Sequence, residues 1–410
     1  MNSMSPQPGL TRFPDPEETG TTASRHEAWL TRSVSRASVP SPKTSNPNNS
    51  LSWWARAVAR IKGCDGFMIS PWMYWMVALV LIQQEVLAGE KTDTALVPSI
   101  FSPESAPAHA ISHLAGFVLW ITGVIFVVVG GLLLYALVRF RRRATDDGTE
   151  PAQIYGSGPV EAAWTTVPFL IVLVLTLATA RVIQEVQDAR KPAAAVDVQV
   201  IGHQWWWEIR YPKLGIVTAN EMHVPVSQSG DRLPTFLDLR SADVVHSFWV
   251  PRLAGKTDLI PNKVNSMWIE PERTGLFLGQ CAKYCGTQHA KMLLRVYVDT
   301  REDFDRWVKE QKELAENNPS AAAGRLVFEQ TACINCHAVN GTVGNGRFGP
   351  DLTHLMSRDT LGSGALMNSA EGLRAWIKSP EQFKPGVLMP PMNLNDGDLD
   401  KLVAYLKTLK

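Results

Sequence analysis

Five side chains that commonly bind soft metal ions lie in the second half of the sequence: His246, Cys281, Cys285, His289 and Met292. Thiolate, imidazole and thioether donors suit copper, whereas magnesium and calcium prefer oxygen donors. Two thiolates this close in the chain can bridge two copper ions, and Gly286 directly after the second cysteine permits a tight ligand loop. The pattern therefore predicts a dinuclear copper centre.

Two other structures are compatible with the spacing of these cysteines. Cys281 and Cys285 could form a disulfide, or they could bind zinc tetrahedrally together with the two histidines. A disulfide would leave both histidines and Met292 without a role. Zinc has no use for a thioether, so copper accounts for the whole set best.

A second cysteine pair lies nearer the C-terminus, in the sequence Cys333-Ile-Asn-Cys336-His337. This is the C-x-x-C-H motif of covalent haem c attachment, in which the histidine binds iron from one face. Met389 is the expected ligand on the other face and Met392 is the alternative, since a His/Met pair raises the haem potential. A zinc knuckle would need more ligands than the nearby His354, and a redox C-x-x-C would need a βαβ context.

Composition limits the remaining functions. The chain has 410 residues and a formal net charge of +1, which argues against a nucleic-acid-binding protein. Its length predicts two or three domains. The remaining cysteine, Cys64, precedes an apolar segment and so cannot be a lipobox cysteine, which would follow such a segment.

Residues 1–88 are expected to be a leader. Residues 1–67 are rich in Ser, Pro, Thr and Arg without an apolar period, which indicates disorder. The apolar run Met73–Ile82 is short for a membrane span and typical of a signal peptide. Val86–Ala88 fits a cleavage site, so the mature chain would begin near Gly89; an uncleaved extra helix is the alternative.

Two apolar segments are long enough to cross a bilayer, and the first of them contains no charged residue. They cover Leu114–Val138 and roughly 160–182, inside a predicted helical hairpin at residues 97–185. The basic cluster at residues 139–143 lies between them and marks the cytoplasmic side. The chain after residue 185 is therefore expected to face the periplasm.

Three further segments follow the hairpin. Residues 193–300 contain short β-branched and aromatic runs separated by Pro and Gly, which predict a small antiparallel sandwich or barrel. Residues 301–323 are expected to be a charged, exposed helix over 302–316 and a linker over 317–323. Residues 324–410 form a separate unit, with a helical pattern at Leu399, Leu402, Val403, Leu406 and Leu409.

Residues 97–300 resemble cytochrome c oxidase subunit II, through Asp243–Pro251, Lys256–Asp258 and Gly279–Cys281. The resemblance implies a hairpin followed by an all-β cupredoxin domain with a dinuclear CuA centre. The ligands it implies are the five side chains above and the backbone oxygen of Lys283. The family usually has a glutamate there that helps to bind magnesium, and a charged lysine cannot do so. We therefore expect that ion to be missing or held differently.

Two more roles rest on this resemblance. Gly202–Trp207 matches the aromatic patch through which electrons reach CuA, which makes Trp205 the expected entry residue for electrons, although an aromatic strand is more often core. Glu161–Pro168 matches the start of the second helix, where the family glutamate lies at the mouth of a proton path. Glu161 could equally be a solvated flank of the helix.

The C-terminal unit resembles the all-α class I cytochrome c. Gly324 and Phe328 lie where that family crosses its terminal helices, with Tyr405 as the expected partner. Gly349-Pro350 matches the turn whose carbonyl orients the haem histidine.

Together these resemblances indicate a caa-type haem-copper oxidase of a bacterial inner membrane. The chain would accept electrons from cytochrome c or another donor and pass them to subunit I, beside subunit III, for reduction of oxygen to water coupled to proton translocation. The alternative is the CuA subunit of a nitric oxide reductase. Nitrous oxide reductase is soluble, and a copper-delivery protein would not need the haem.

Overall fold

The computed structural model describes residues 98–142, 148–150, 152–187, 190–228, 232–315 and 318–410. All of them belong to one compact unit, Glu90–Lys410. The expected leader at residues 1–88, its cleavage site and Cys64 lie outside the described residues.

Two long helices precede the rest of the fold, α1 (Ala106–Arg139) and α2 (Gly158–Gln187). Both are long and apolar enough to cross a membrane, and their most apolar stretches are not buried by the protein. Apolar side chains left on the outside of a helix need lipid or another protein against them. The two predicted apolar helices capable of spanning a membrane are confirmed, and both extend beyond the apolar segments.

A sandwich of two five-stranded sheets follows the helices. Its strands are β1 (Val196–His203), β2 (Trp206–Tyr211), β3 (Ile216–Ala219), β4 (Glu221–Pro225), β5 (Thr235–Ser241), β6 (His246–Trp249), β7 (Thr257–Leu259), β8 (Asn265–Ile269), β9 (Gly275–Cys281) and β10 (Leu293–Asp299). The strand orders are β3-β2-β1-β5-β8 and β4-β10-β9-β6-β7. β1 pairs with β5, and β4 with β10, in parallel; the other pairs are antiparallel.

The core of the sandwich follows from the alternation of side chains along its strands. In β10 every second residue is buried, as expected for a strand with one face on the core. Trp207, Leu237 and Phe248 are among the large side chains that fill the space between the sheets. The all-β cupredoxin-like fold predicted from the sequence is confirmed.

The helix after the sandwich differs from the expectation. It covers only α3 (Arg301–Glu310), and Thr300 caps it by accepting a hydrogen bond from the backbone N–H of Asp303 at 3.1 Å. Phe304 and Trp307 on one face are buried in the sandwich core. The expectation of an exposed helix over 302–316 was wrong, because the charged residues occupy only the opposite face.

The C-terminal domain is mainly helical. It contains α4 (Ala322–Gln330), α5 (Cys333–Cys336), α6 (Ala370–Lys378), α7 (Pro380–Phe383), α8 (Asp396–Leu406) and a small hairpin of β11 (Thr360–Leu361) and β12 (Leu366–Met367). A 3₁₀ turn, Pro319–Ala321, leads directly into α4, so part of the expected linker is helical. The five apolar residues predicted to form a helical pattern near the C-terminus are all buried.

The first and last helices of this domain cross at Gly324. A Cβ atom at this position would lie 2.0 Å from the carbonyl oxygen of Lys401, so α4 and α8 can approach this closely only because Gly324 has no side chain. The rings of Phe328 and Tyr405 pack beside the crossing, with 5.8 Å between their centroids. The predicted contact between the terminal helices is confirmed.

The C-terminal domain is docked onto the sandwich by buried polar contacts. The carboxylate of Glu221 accepts hydrogen bonds from the backbone N–H groups of Asp359 and Thr360, both at 2.9 Å. Ser363 Oγ donates to the carbonyl oxygen of Leu293 at 2.7 Å, and the N–H of Leu293 donates to the carbonyl of Ser363. These contacts hold the β11–β12 hairpin beside the strand that follows Met292.

Candidate copper centre and haem pocket

The sulfur donors predicted to bind copper converge at one end of the sandwich. Cys281 Sγ lies 3.8 Å from Cys285 Sγ. Cys285 Sγ in turn lies 3.7 Å from His289 Nδ1 and 3.9 Å from Met292 Sδ. Single donor atoms of His246, Cys281 and Cys285 all fall within 4.8 Å of one another. The structure therefore brings all five side chains together.

Strand pairing explains how donors distant in the sequence meet. His246 begins β6 and Cys281 ends β9, and the two strands pair with Phe248 opposite Cys281. Met292 directly precedes β10, which pairs with β9. The intervening loop carries Cys285 and His289 back across the end of the sheet.

Two features of the structure indicate that these donors could bind a metal ion. Nδ1 of His246 is buried and has no hydrogen-bond partner among the described residues, whereas Nε2 contacts Asp243 Oδ1 at 2.7 Å. A buried nitrogen without a partner is costly unless it binds something. Cys281 and Cys285 are free thiols rather than a disulfide. An unpaired imidazole nitrogen beside two thiols suits a soft metal such as copper.

A hydrogen bond between the two thiols shifts their pKa values in opposite directions. The hydrogen bond with Cys285 lowers the pKa of Cys281 below its usual range, despite burial. The same hydrogen bond, together with burial, raises the pKa of Cys285. A metal binds the thiolate form, so loading of this site releases protons.

Lys283 uses its main chain and its side chain differently. Its carbonyl oxygen lies 3.1 Å from Cys281 Sγ, at the edge of the donor cluster. Its ammonium group lies 3.6 Å from the carboxylate of Asp258, and both side chains are partly exposed. The lysine therefore places a positive charge beside a carboxylate that could otherwise face a cation.

The haem-attachment motif lines an apolar cavity in the C-terminal domain. Helix α5 is a single turn, which places Cys333 and Cys336 on one side. His337 Nδ1 donates to the carbonyl oxygen of Pro350 at 2.7 Å, which leaves Nε2 for iron. A Cβ on Gly349 would come within 2.6 Å of the His337 ring. Burial lowers the pKa of His337, which favours the neutral imidazole that a metal requires.

The other walls of the cavity are apolar, which suits a haem. Apolar side chains surround it, among them Phe328, Leu355, Leu373, Ile377 and Leu402. Met389 and Met392 both line the cavity, so the choice of Met389 stays a prediction. The possible zinc ligand His354 is already engaged, because its two ring nitrogens contact the carbonyl oxygens of Lys410 and Glu313 at 2.6 and 3.1 Å.

Trp205 lies between the two candidate sites. Its side chain is only 8% exposed, and its Nε1 donates to the carbonyl oxygen of Cys285 at 3.0 Å. The same residue lines the haem cavity, together with Gln204 and Trp206. Gly286, with φ of +118°, would place a Cβ 3.0 Å from the Trp205 ring, so its lack of a side chain makes room for the indole.

Comparison with known families shows what kind of protein this is. The transmembrane domain of cytochrome c oxidase subunit II matches residues 99–182, and the periplasmic domain of the same subunit matches residues 220–298. The cytochrome c family matches residues 321–410. The chain belongs to the cytochrome c oxidase subunit II family. It carries a fused cytochrome c domain at its C-terminus.

Relatives of known name agree with this assignment. Cytochrome c oxidase subunit 2 of Alkalihalophilus pseudofirmus is 32% identical over 329 residues, which cover 78% of this chain and 92% of the relative. The same subunit of Bacillus subtilis is 32% identical over 299 residues, covering 68% and 82%. The solved periplasmic domain of subunit II of the Bradyrhizobium japonicum oxidase is 31% identical and covers 30% of this chain and 96% of that chain, with a TM-score of 0.28.

The family gives the setting of the two sites. An oxidase subunit II is a membrane-anchored protein with a periplasmic domain, and it belongs to a complex with other oxidase subunits. Copper in the periplasmic domain and haem in the cytochrome c domain are implied by the two families. The predicted donor cluster and haem motif lie in the matching domains.

Glu161 has a local contact in this oxidase subunit. It lies in the first turn of α2, and its carboxylate accepts a hydrogen bond from the backbone N–H of Ser157 at 3.1 Å. A carboxylate in this position stabilises the start of a helix. A role in proton uptake stays a prediction.

The sequence did not single out three residues that join the two sites: Lys384, Gln288 and Lys291. Gln288 and Lys291 flank the predicted ligand His289 and bond to carbonyl oxygens of Pro385 and Phe383. Lys384 bonds to the carbonyl oxygen of Trp205. Their partners are far away in the chain, so no local pattern could have identified them.

Proposed function

We propose that this chain is the electron-delivering subunit of a caa-type cytochrome c oxidase in a bacterial inner membrane. Electrons from cytochrome c or another donor would reach subunit I through this chain, beside subunit III, for reduction of oxygen to water coupled to proton translocation. A covalent haem c and a dinuclear CuA centre, when bound, supply one-electron redox chemistry at their two sites.

The observation that carries this proposal is the position of Trp205. Its indole N–H is bonded to the main chain of the copper-ligand residue Cys285, and the same side chain forms part of the wall of the haem cavity. A buried aromatic ring that touches both sites supports a route for electrons between them. The fused domain covers the aromatic patch that a separate donor would otherwise need to reach.

The copper ligands have different tasks in this proposal. Cys281 and Cys285, whose Sγ atoms lie 3.8 Å apart, would hold the copper ions through their two thiolates. His246 and His289 add one neutral nitrogen each, and Asp243 fixes the orientation of His246 through Nε2. The buried thioether of Met292 and the carbonyl oxygen of Lys283 complete the set. The strands β6 and β9 and the short loop before β10 hold these donors in place, so the site would change little when its charge changes and reorganisation would stay small.

The haem ligands follow the same logic in the C-terminal domain. The thiols of Cys333 and Cys336 would add to the two vinyl groups of the haem, and the carbonyl oxygen of Pro350 holds His337 in one tautomer. Met389 would bind the haem iron through its thioether sulfur, opposite His337. The apolar walls exclude water, which favours the reduced, less charged haem.

Spectroscopy of the purified oxidase complex tests the proposal. We expect the mixed-valence EPR signal of a dinuclear copper centre together with the optical spectrum of low-spin His/Met haem c, and oxygen consumption by the complex. The C285S variant should lose the copper signal and keep the haem spectrum. Haem without the copper signal would reduce the chain to a membrane-anchored cytochrome. A complex that consumes nitric oxide but not oxygen would favour the nitric oxide reductase alternative.

A further inference from the structure

The side chain of Lys384 is buried at the junction of the two domains. It is 1% exposed and belongs to the largest fully buried side chains among the described residues. Lysine is almost never buried to this degree without partners, because moving an amine out of water is costly. Lys384 directly follows α7 and lies five residues before Met389 in the chain. Its burial therefore calls for an explanation in terms of its contacts.

The amino group of Lys384 joins the cytochrome domain to the copper domain. Nζ donates to the carbonyl oxygen of Trp205 at 2.6 Å and to the carbonyl oxygen of Gly362 at 2.9 Å. Both acceptors are neutral, and within the described ranges no carboxylate is paired with Nζ. The charged or titratable groups that influence it across the junction are Cys285 and Lys291.

The residues on either side of Lys384 are attached to the copper-ligand loop. Lys291 Nζ donates to the carbonyl oxygen of Phe383 at 2.7 Å, and Gln288 Nε2 donates to the carbonyl oxygen of Pro385 at 2.6 Å. Three consecutive residues of the cytochrome domain thus each make a hydrogen bond to the copper domain. The next residue, Gly386, has φ of +82° and could carry a Cβ only at 3.3 Å from Thr287 Oγ1.

We propose that Lys384 is a positioning residue for electron transfer between the two redox sites. Its amino group fastens the segment that leads to Met389 onto the main chain of Trp205, and so fixes the haem pocket against the copper-ligand loop. The proposal rests on the proposed function, because it concerns the route between the same two sites. It adds that the cytochrome domain is held in one docked position, rather than being a tethered donor that samples many.

The contacts favour positioning over a purely structural role. If Lys384 only filled space in the core, an apolar side chain would do so at a lower desolvation cost. If it only promoted solubility, its amino group would be exposed to water. Here the amino group bonds to the backbone of Trp205, whose side chain touches both candidate sites. Electron tunnelling falls steeply with distance, so a small shift of the Met389 segment changes the rate far more than it changes the fold.

The test is the rate of haem-to-copper electron transfer in the intact complex. After photoreduction, one electron leaves the reduced haem and one reaches the oxidised copper pair, and the two optical signals follow the step. In K384M we expect the rate to fall at least about tenfold, with unchanged haem and copper spectra and unchanged midpoint potentials. In K378M, which removes a largely exposed lysine of the same domain, the rate should stay that of the parent.

Two outcomes would overturn the proposal. The first is a parental rate in K384M with both centres loaded. The second needs no variant: pulsed EPR of the oxidised parent should give one narrow haem-to-copper distance, and a broad distribution would show a freely moving domain. Absence of haem-to-copper transfer in the parent itself would instead refute the proposed function.

Discussion

Trp205 donates a hydrogen bond of 3.0 Å from its indole Nε1 to the carbonyl oxygen of Cys285. A buried tryptophan is thereby attached to the main chain of a predicted copper ligand, while its ring helps to line the haem cavity. Gln204 Nε2 donates to the same carbonyl at 2.8 Å, so the turn between β1 and β2 is held to the ligand loop at two points.

Replacement of Trp205 should slow electron transfer between the two sites. In W205L the aromatic ring and the hydrogen bond are both lost, and we expect the haem-to-copper rate to fall about ten- to a hundredfold. W205F keeps an aromatic ring without the N–H group, so it should retain more of the rate. Flash photolysis of the complex measures both variants. Equal rates in W205L and the parent would exclude Trp205 from the route.

The two methionines of the haem cavity can be separated by substitution. M389L should remove the thioether ligand, abolish the optical band of His/Met haem and lower the midpoint potential, because a thioether raises it. M392L should keep both properties. Absorption spectroscopy and redox titration of each variant decide the assignment, and the reverse result would make Met392 the ligand.

The close helix crossing at Gly324 predicts a large effect of one methyl group. In G324A the new Cβ meets the backbone of α8, so we expect the cytochrome domain to lose about 2 kcal/mol or more of unfolding free energy. G397A is the matched control in α8, since its Cβ would have only an ordinary contact at 3.4 Å. Guanidinium unfolding of the whole chain, followed by haem absorbance, measures both. Equal stability of G324A and the parent would contradict the crossing.

Stability should depend on pH through Lys384. Burial lowers the pKa of Lys384 from 10.5 to about 7, so between these values the unfolded chain binds a proton that the folded chain lacks. The cost of burying the ammonium is therefore full below pH 7 and decreases as the pH rises towards 10.5. Relative to K384M, the parent should gain stability as the pH rises from about 7 towards 10.5. A pH-independent difference in unfolding free energy would contradict this.

Lys283 should exclude the magnesium ion expected from the subunit II resemblance. Its ammonium group already faces Asp258 at 3.6 Å, and a charged lysine cannot bind a cation. Metal analysis of the purified complex should find copper and iron without a stoichiometric, tightly held magnesium at this interface. Such an ion at that place would refute the prediction.

Much of the site could be predicted because its chemistry is local in the sequence. Haem attachment needs Cys333, Cys336 and His337 on one turn, and a copper-ligand loop needs Cys285, His289 and Met292 at short intervals. The two membrane helices could also be predicted, since an apolar segment long enough to cross a bilayer rarely has another structural role. The prediction of an exposed helix over 302–316 was wrong because composition alone does not show that Phe304 and Trp307 lie on one face, against the sandwich core.

The sequence by itself determined the kind of domains and their order, and it predicted the donor residues of each site. Only the tertiary structure decided how the sites are joined: Glu221 with Thr360, Ser363 with Leu293, and Lys384 with Trp205. The physical reason is that ligand spacing follows from the geometry of a short stretch of backbone, which leaves a pattern in the sequence. Docking depends on single hydrogen bonds between residues far apart in the chain, and these leave none.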